Sequence, residues 1–350
     1  MKFKGLPKPV FDETLTSWLF RCSVNRRSRV GKRLRLEGRP EAWWVGIELK
    51  TADADIDFVT AEKKLREAGY ETNSLILEIV FGPQGKRFVE WNFRRLFCVE
   101  CLRQDVSEGR LPIWRKSWCY EFASDCFVHR KQLDSLVAPL RYSKAWDAFV
   151  QHCKSNANRI SSADIFFARL RASTLSRIAK AAENGTAEDH YDLSSLLSRL
   201  TCILLQAPFK GTHGGSARIH FQARRGIQFT APNSLLESFS VGAATADSSS
   251  RIGGMVIAST LLGIIPESRF LEFVQSYEVM NVNSILPRNL LQAAAFPQLD
   301  RIGYGVLHDY LGYVPRSRFP VLDRHLQLQE DRYKREGVFD GRPLGLIDRA

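Results

Sequence analysis

Apolar residues recur along this chain mostly three and four positions apart, the repeat of a helix with one buried face. The first clear instance follows an arm, Lys2 to Val10, that is rich in lysine and proline and reads as extended. Leu15, Trp18, Leu19 and Cys22 then fall at i, i+3, i+4 and i+7, and Asp12 stands ahead of them as a candidate N-cap. From Thr51 to Glu78, alanines and leucines mixed with charges predict one or two amphipathic helices, closed by Gly82-Pro83-Gln84-Gly85. Residues 145–205 continue the pattern with Ile165, Phe166 and Leu170, then Leu193, Leu196, Leu197 and Leu200, around a turn at Asn184-Gly185-Thr186. Lys210 to Gly215 reads as a loop, and Arg218 to Arg225 as a short strand or a basic loop. Residues 251–313 return to helix between Pro266, Pro287 and Pro297, and Ile252 to Ile265 reads as a buried helix or two core segments. Beyond Pro315, charges nearly balance and long apolar runs stop, so this end reads as a mobile tail. Alternating strand patterns are scarce. The fold class is mainly α.

Charge changes this picture in one place. The chain of 350 residues carries a formal net charge of +12, a field that attracts nucleic acid or acidic protein surfaces without choosing a sequence. Eight Arg or Lys residues lie from Arg21 to Arg39 against the single acid Glu37. Such a run is either a solvated face or a phosphate-contacting helix, and Arg21, Arg26, Arg27, Arg29, Lys32, Arg33 and Arg35 are the candidate contacts to nucleic acid or a partner. The Ile252 to Ile265 stretch is shorter than the roughly 20 residues a membrane-spanning helix needs. The start of the chain lacks the apolar core of a secretory leader, so a cytoplasmic protein with no membrane partner is expected.

The seven cysteines are where chemistry is concentrated. Cys98-x2-Cys101 is followed after 24 residues by Cys126-x2-His129, two closely spaced pairs that present four ligands to one tetrahedral ion. Three thiolates and an imidazole suit Zn²⁺ and fill its coordination, which marks a structural site rather than a catalytic one. Cys119, between the pairs in an aromatic context, reads as packing, and Cys22, Cys153 and Cys202 as small core residues. No histidine precedes His129, so the H-x-E…P-C-x-x-C order of nucleobase deaminases fails. H-E-x-x-H, G-x-S-x-G and dinucleotide-binding glycine patterns are missing too, and His152, His190, His213, His220, His308 and His325 are scattered singly. No enzyme is expected, and no catalytic residue is assigned.

The residues around the cysteine pairs resemble a known family. Cys98-Val99-Glu100-Cys101-Leu102-Arg103-Gln104-Asp105, Trp114-Arg115, Trp118 and Cys126-Phe127-Val128-His129 are similar to the TniQ/TnsD pattern of C-x-x-C-L-x-x-D, W-R, a second tryptophan and C-x-x-H. Pro9, Asp12-Glu13, Leu15, Ser17-Trp18-Leu19 and Arg21 resemble the family's opening. Val99 and Phe127 stand where the family usually has proline, and no second cysteine-rich knuckle follows His129. The resemblance implies a helix-turn-helix-like domain over residues 1–95, a zinc-knuckle module over 96–135 and a C-terminal helical domain over 136–350 with the mobile tail. It also implies a transposon target-selection protein that links an RNA-guided surveillance complex or attachment-site DNA to an AAA+ transposition regulator, working as a homodimer. Two alternatives stand beside this adaptor: a direct reader of attachment-site DNA, and a zinc-bearing transcription regulator unrelated to transposition.

Overall fold

In the computed structural model, which describes residues 6–24, 53–83, 88–138, 140–154, 162–183, 187–210, 213–222, 231–280 and 286–346, the helical spacings become fourteen α-helices. The described strands amount to one antiparallel pair of two residues each. Contacts divide the chain into two units, Met1–Asn158 and Arg159–Ala350. The boundaries expected at 95 and 135 both fall inside the first unit.

The first unit begins with α1 (Leu15–Val24), whose stripe of Leu15, Trp18, Leu19 and Cys22 is fully buried. It packs in one core with α2 (Phe58–Glu67) and α3 (Ser74–Phe81) through Ala61, Leu65, Leu77 and Phe81. Both of these helices start on side-chain caps: Asp57 accepts from the Thr60 N–H and Asn73 from the Ile76 N–H. Asp12 does not cap α1. Its backbone is left-handed, at φ 64°, and its carboxylate turns to Ser117, while Thr14 Oγ1 accepts from the Ser17 N–H at 3.4 Å. The strand β1 (Leu96–Phe97), helix α4 (Val99–Ser107), strand β2 (Asp134–Ser135) and helix α5 (Lys144–Lys154) complete the unit. A second core joins them, with Leu102, Trp114, Trp118, Leu133 and Ala148 at its centre.

The second unit is built on α6 (Ser162–Glu183), α7 (Ala187–Leu204), α8 (Ser216–Phe221), α9 (Leu235–Thr245), α10 (Ser248–Leu261), α11 (Glu267–Met280), α12 (Leu290–Ala293), α13 (Arg301–Leu311) and α14 (Pro320–Arg335). Every residue of α10 is buried, so the apolar run from Ile252 resolves as a central helix surrounded by neighbours rather than a surface one. Its closest companions are α7 and α8. Gly253 lets Phe221 of α8 seat directly on the helix: a Cβ there would lie 2.3 Å from the ring.

Three expectations are corrected here. Residues 218–221 are helical, not strand or loop: Arg218 and His220 are buried and Ile219 is half exposed, an inversion of the usual pattern. Arg218 is drawn inward because its guanidinium donates to the Gly242 carbonyl and to Thr245 Oγ1. The chain beyond Pro315 is not a loose tail. Leu322, Leu326 and Tyr333 of α14 are fully buried, Arg316 pairs with Glu330 at 2.6 Å, and Tyr333 donates to the Pro297 carbonyl. Cys153 is exposed, whereas Cys22 and Cys202 are buried as expected. The turn at 184–186 lies outside the described residues.

Candidate metal centre

Two short elements carry the cysteine pairs. Cys98 caps the N-terminus of α4 and Cys101 lies in its first turn, so both sulfurs leave the same end of one helix. Cys126 and His129 sit on a tight turn closed by the Arg130 N–H on the Cys126 carbonyl and the Cys126 N–H on the Lys131 carbonyl, each 2.8 Å. Arg130 adopts φ 54° to close it. The two halves are tied beside the cluster by the β1–β2 ladder, Leu96 against Ser135 and Phe97 against Asp134, and by a Lys131–Glu100 ion pair of 2.7 Å.

The four side chains converge. Cys101 Sγ lies 3.5 Å from Cys126 Sγ and 3.3 Å from His129 Nδ1; Cys98 and Cys126 lie 3.6 and 3.7 Å from the same nitrogen. All four ligand atoms fall within 4.8 Å of one another. A tetrahedral ion with bonds of ~2.3 Å to sulfur and ~2.0–2.1 Å to nitrogen sets its ligands roughly 3.5–3.8 Å apart. The donor set therefore fits a metal ion in both chemistry and spacing. The hydrogen bond between Cys101 and Cys126 raises the first thiol and lowers the second. The three cysteines are buried and His129 is half-buried.

Cys119 stays out of the cluster. It is fully buried, its Sγ faces the Arg115 carbonyl at 3.4 Å, and burial pushes its thiol up to about 12. It packs as a neutral side chain.

The surroundings of the centre interlock with α1, which spacing alone does not reveal. The Glu13 backbone forms an antiparallel β-bridge with that of Arg115, the Thr14 N–H donates to the Trp114 carbonyl at 3.0 Å, and the Trp114 N–H donates to Ser17 Oγ at 3.0 Å. Asp12 accepts from Ser117 through backbone and side chain. Asp105, a buried residue of α4, accepts from the Ile113 N–H and from Arg115 at 2.6 Å. Trp118 meets Trp114 edge-on with centroids 5.6 Å apart. The motif residues of the two stretches are thus bonded to each other across about a hundred positions of chain, as the Trp114–Ser17 separation of 97 shows.

Arg21 belongs to this scaffold and not to a binding face. Only 9% exposed, it forks onto both oxygens of Glu13 at 2.7 and 2.6 Å and donates to the Lys8 carbonyl, so its charge is already neutralised. Arg26, Arg27, Arg29, Lys32, Arg33 and Arg35 lie outside the described residues.

A buried ion cluster went unnoticed in the sequence. Asp55, fully buried, accepts from the Thr16 N–H and hydroxyl and from Arg94, with Lys144 at 3.7 Å; Asp53 meets Arg94 as well. Burial alone would raise the Asp55 carboxyl, but Lys144 and Arg94 hold it below its ordinary value. Lys144 also lies 3.8 Å from the Trp91 ring centroid. The four charges belong to residues up to 91 positions apart, so no local signal could have grouped them.

Comparison with known proteins singles out this same region: the family model described as TniQ matches residues 6–133. No curated relative and no solved structure matches the chain.

Proposed function

From its membership of the TniQ family, carried by residues 6–133, we propose that this chain serves transposition as a non-enzymatic target-selection adaptor. In that role it links a target-recognition complex, either an RNA-guided effector or attachment-site DNA, to the AAA+ regulator of the transposase. The observation that carries the reading is that the matched stretch closes on itself through the motif residues, around a four-ligand cluster. The metal is Zn²⁺, one per chain and structural, held by Cys98, Cys101, Cys126 and His129. When bound, the ion supplies cross-linking of α4 to the 126–129 turn; four protein ligands leave no position for substrate. Among the described residues no helix is long and apolar enough to cross a membrane.

Nucleic-acid or effector contact falls to Arg26, Arg27, Arg29, Lys32, Arg33 and Arg35, supported by the density of charge there and by the net +12. The purified chain is expected to bind duplex DNA weakly, without sequence preference and with a steep salt dependence, and to bind the purified effector and regulator of its transposon. Light scattering is expected to report a homodimer. A strong preference for one DNA site by the chain alone makes it a direct reader instead. Binding to neither DNA, effector nor regulator would sink the adaptor reading.

A further inference from the structure

Helix α6 packs against α11, and among its described side chains Leu170, Arg171, Thr174 and Ile178 are buried. The exposed ones are Arg169, Ser173, Ser176, Arg177 and Lys180. This outer face therefore carries cations and hydroxyls, with no acid and no apolar side chain. Steps of four, three and four residues place Arg169, Ser173, Ser176 and Lys180 along one side of the helix, and Arg177 flanks them. Elsewhere in the same unit, Arg269 and Lys334 each hold a carboxylate three residues away, Glu272 and Asp331. No described carboxylate lies within ion-pair distance of Arg169, Arg177 or Lys180, and Glu272 of the adjacent α11 is taken by Arg269.

Like charges spread over about 16 Å of one helix face repel one another, and a polyanion relieves that repulsion. We propose that this face of α6 binds the phosphate backbone of duplex DNA without reading its sequence, as a site separate from the basic run at residues 26–35. A duplex presents one phosphate per ~1.7 Å of its axis, roughly ten along that length of helix. Phosphate oxygens accept from Arg, Lys and Ser alike, the residue types α6 exposes. An acidic protein surface fits this face less well. Protein interfaces anchor on buried aromatic or aliphatic side chains, and the described outer face of α6 offers none. The inference rests on charge and exposure within the second unit, apart from the metal centre, and stands whether or not the adaptor reading holds.

Fluorescence anisotropy of the full-length protein with two unrelated duplexes, between about 50 and 200 mM salt, tests this. The combined variant Arg169→Gln, Arg177→Gln, Lys180→Gln is expected to lower the slope of log affinity against log salt by about two to three, equally for both duplexes. Its Tm should stay unchanged, since the three side chains are exposed and Gln favours helix about as well as Arg or Lys. Lys180→Gln alone should lower the slope by about one and carries the same test in a single exposed position. Arg169→Lys with Arg177→Lys should keep the parent slope, because backbone contact depends on charge. An unaltered slope in the combined variant, a loss confined to one duplex, or no DNA binding by the parent at the lowest salt would each overturn the inference. So would a combined variant that loses binding to poly-glutamate but keeps its binding to DNA, the result expected of an acidic protein partner. If charge reversal at Arg26, Arg27 and Arg29 removes all salt-dependent binding while the combined α6 variant binds like the parent, the α6 site falls and the basic run remains.

Discussion

His325 shows how one buried side chain ties this protein's stability to pH. It is 0% exposed and edge-on to Phe296, and burial lowers its imidazole to about 4 from an ordinary 6.5. As pH falls from 6.5, the unfolded chain takes up this proton while the folded chain does not, so stability is lost through the window between about 6.5 and 4. The full effect is about 3 kcal/mol. His325→Phe is expected to flatten that loss, seen as a smaller difference between urea midpoints at pH 7 and pH 4.5 than in the parent. Asp55 makes a different demand. Asp55→Ala leaves Arg94 and Lys144 buried without their shared anion and should cost about 3–5 kcal/mol in urea unfolding followed by tryptophan fluorescence. A cost under ~1 kcal/mol would mean that Asp53 alone neutralises both cations.

At the scale of elements, α10 carries the clearest expectation. Replacing glycine by alanine in an exposed helix gains about 1 kcal/mol, but Gly253 faces the fully buried ring of Phe221, which is itself held by Phe273 and Tyr277. Gly253→Ala should therefore destabilise by about 1–3 kcal/mol, and Phe221→Leu in the same chain should recover part of it. Thermal melts of the two single variants and the double variant give the coupling. Helix existence was readable from spacing across α1, α2, α3, α10 and α13, because a one-sided or wholly apolar pattern is local information. Helix α8 was not readable, because its buried Arg218 and exposed Ile219 reverse the pattern. The inversion is stabilised by carbonyl and hydroxyl acceptors on α9, over 20 positions downstream.

Across the whole molecule, the two units differ in what holds them. The first contains the four-residue cluster, whose arms are two short elements and a two-residue ladder set against the core of Leu102, Trp114, Trp118 and Leu133. Chelation, or Cys98→Ser, is expected to remove the proposed zinc and to strip hydrogen-exchange protection from residues 88–138, while residues 231–280 and 286–346 keep theirs. Near-stoichiometric zinc remaining in Cys98→Ser would remove Cys98 from the ligand set. Charge reversal of Arg26, Arg27 and Arg29 together should weaken DNA or effector binding with Tm unchanged. A fall in Tm would instead assign those side chains to the fold.

Sequence by itself determined the mainly helical class, the apolar face of α1, the burial of α10 and the grouping of Cys98, Cys101, Cys126 and His129 with Cys119 outside it. Each of these depends on residues within a few turns of one another, or on two-residue-spaced pairs that each present two side chains from one turn. Tertiary structure alone decided which polar groups go inside. Arg21 is buried because Glu13 meets it, Asp55 because Thr16, Arg94 and Lys144 do, and α14 docks through Tyr333 and Glu330 although its hydropathy suggested a loose end. Tertiary structure also bonded the Asp12–Arg21 stretch to the Trp114–Ser117 stretch, which spacing showed only as separate motifs. The physical reason is common to all of these. A charge or amide can leave water only where a partner satisfies it, and that partner comes from chain far away in sequence.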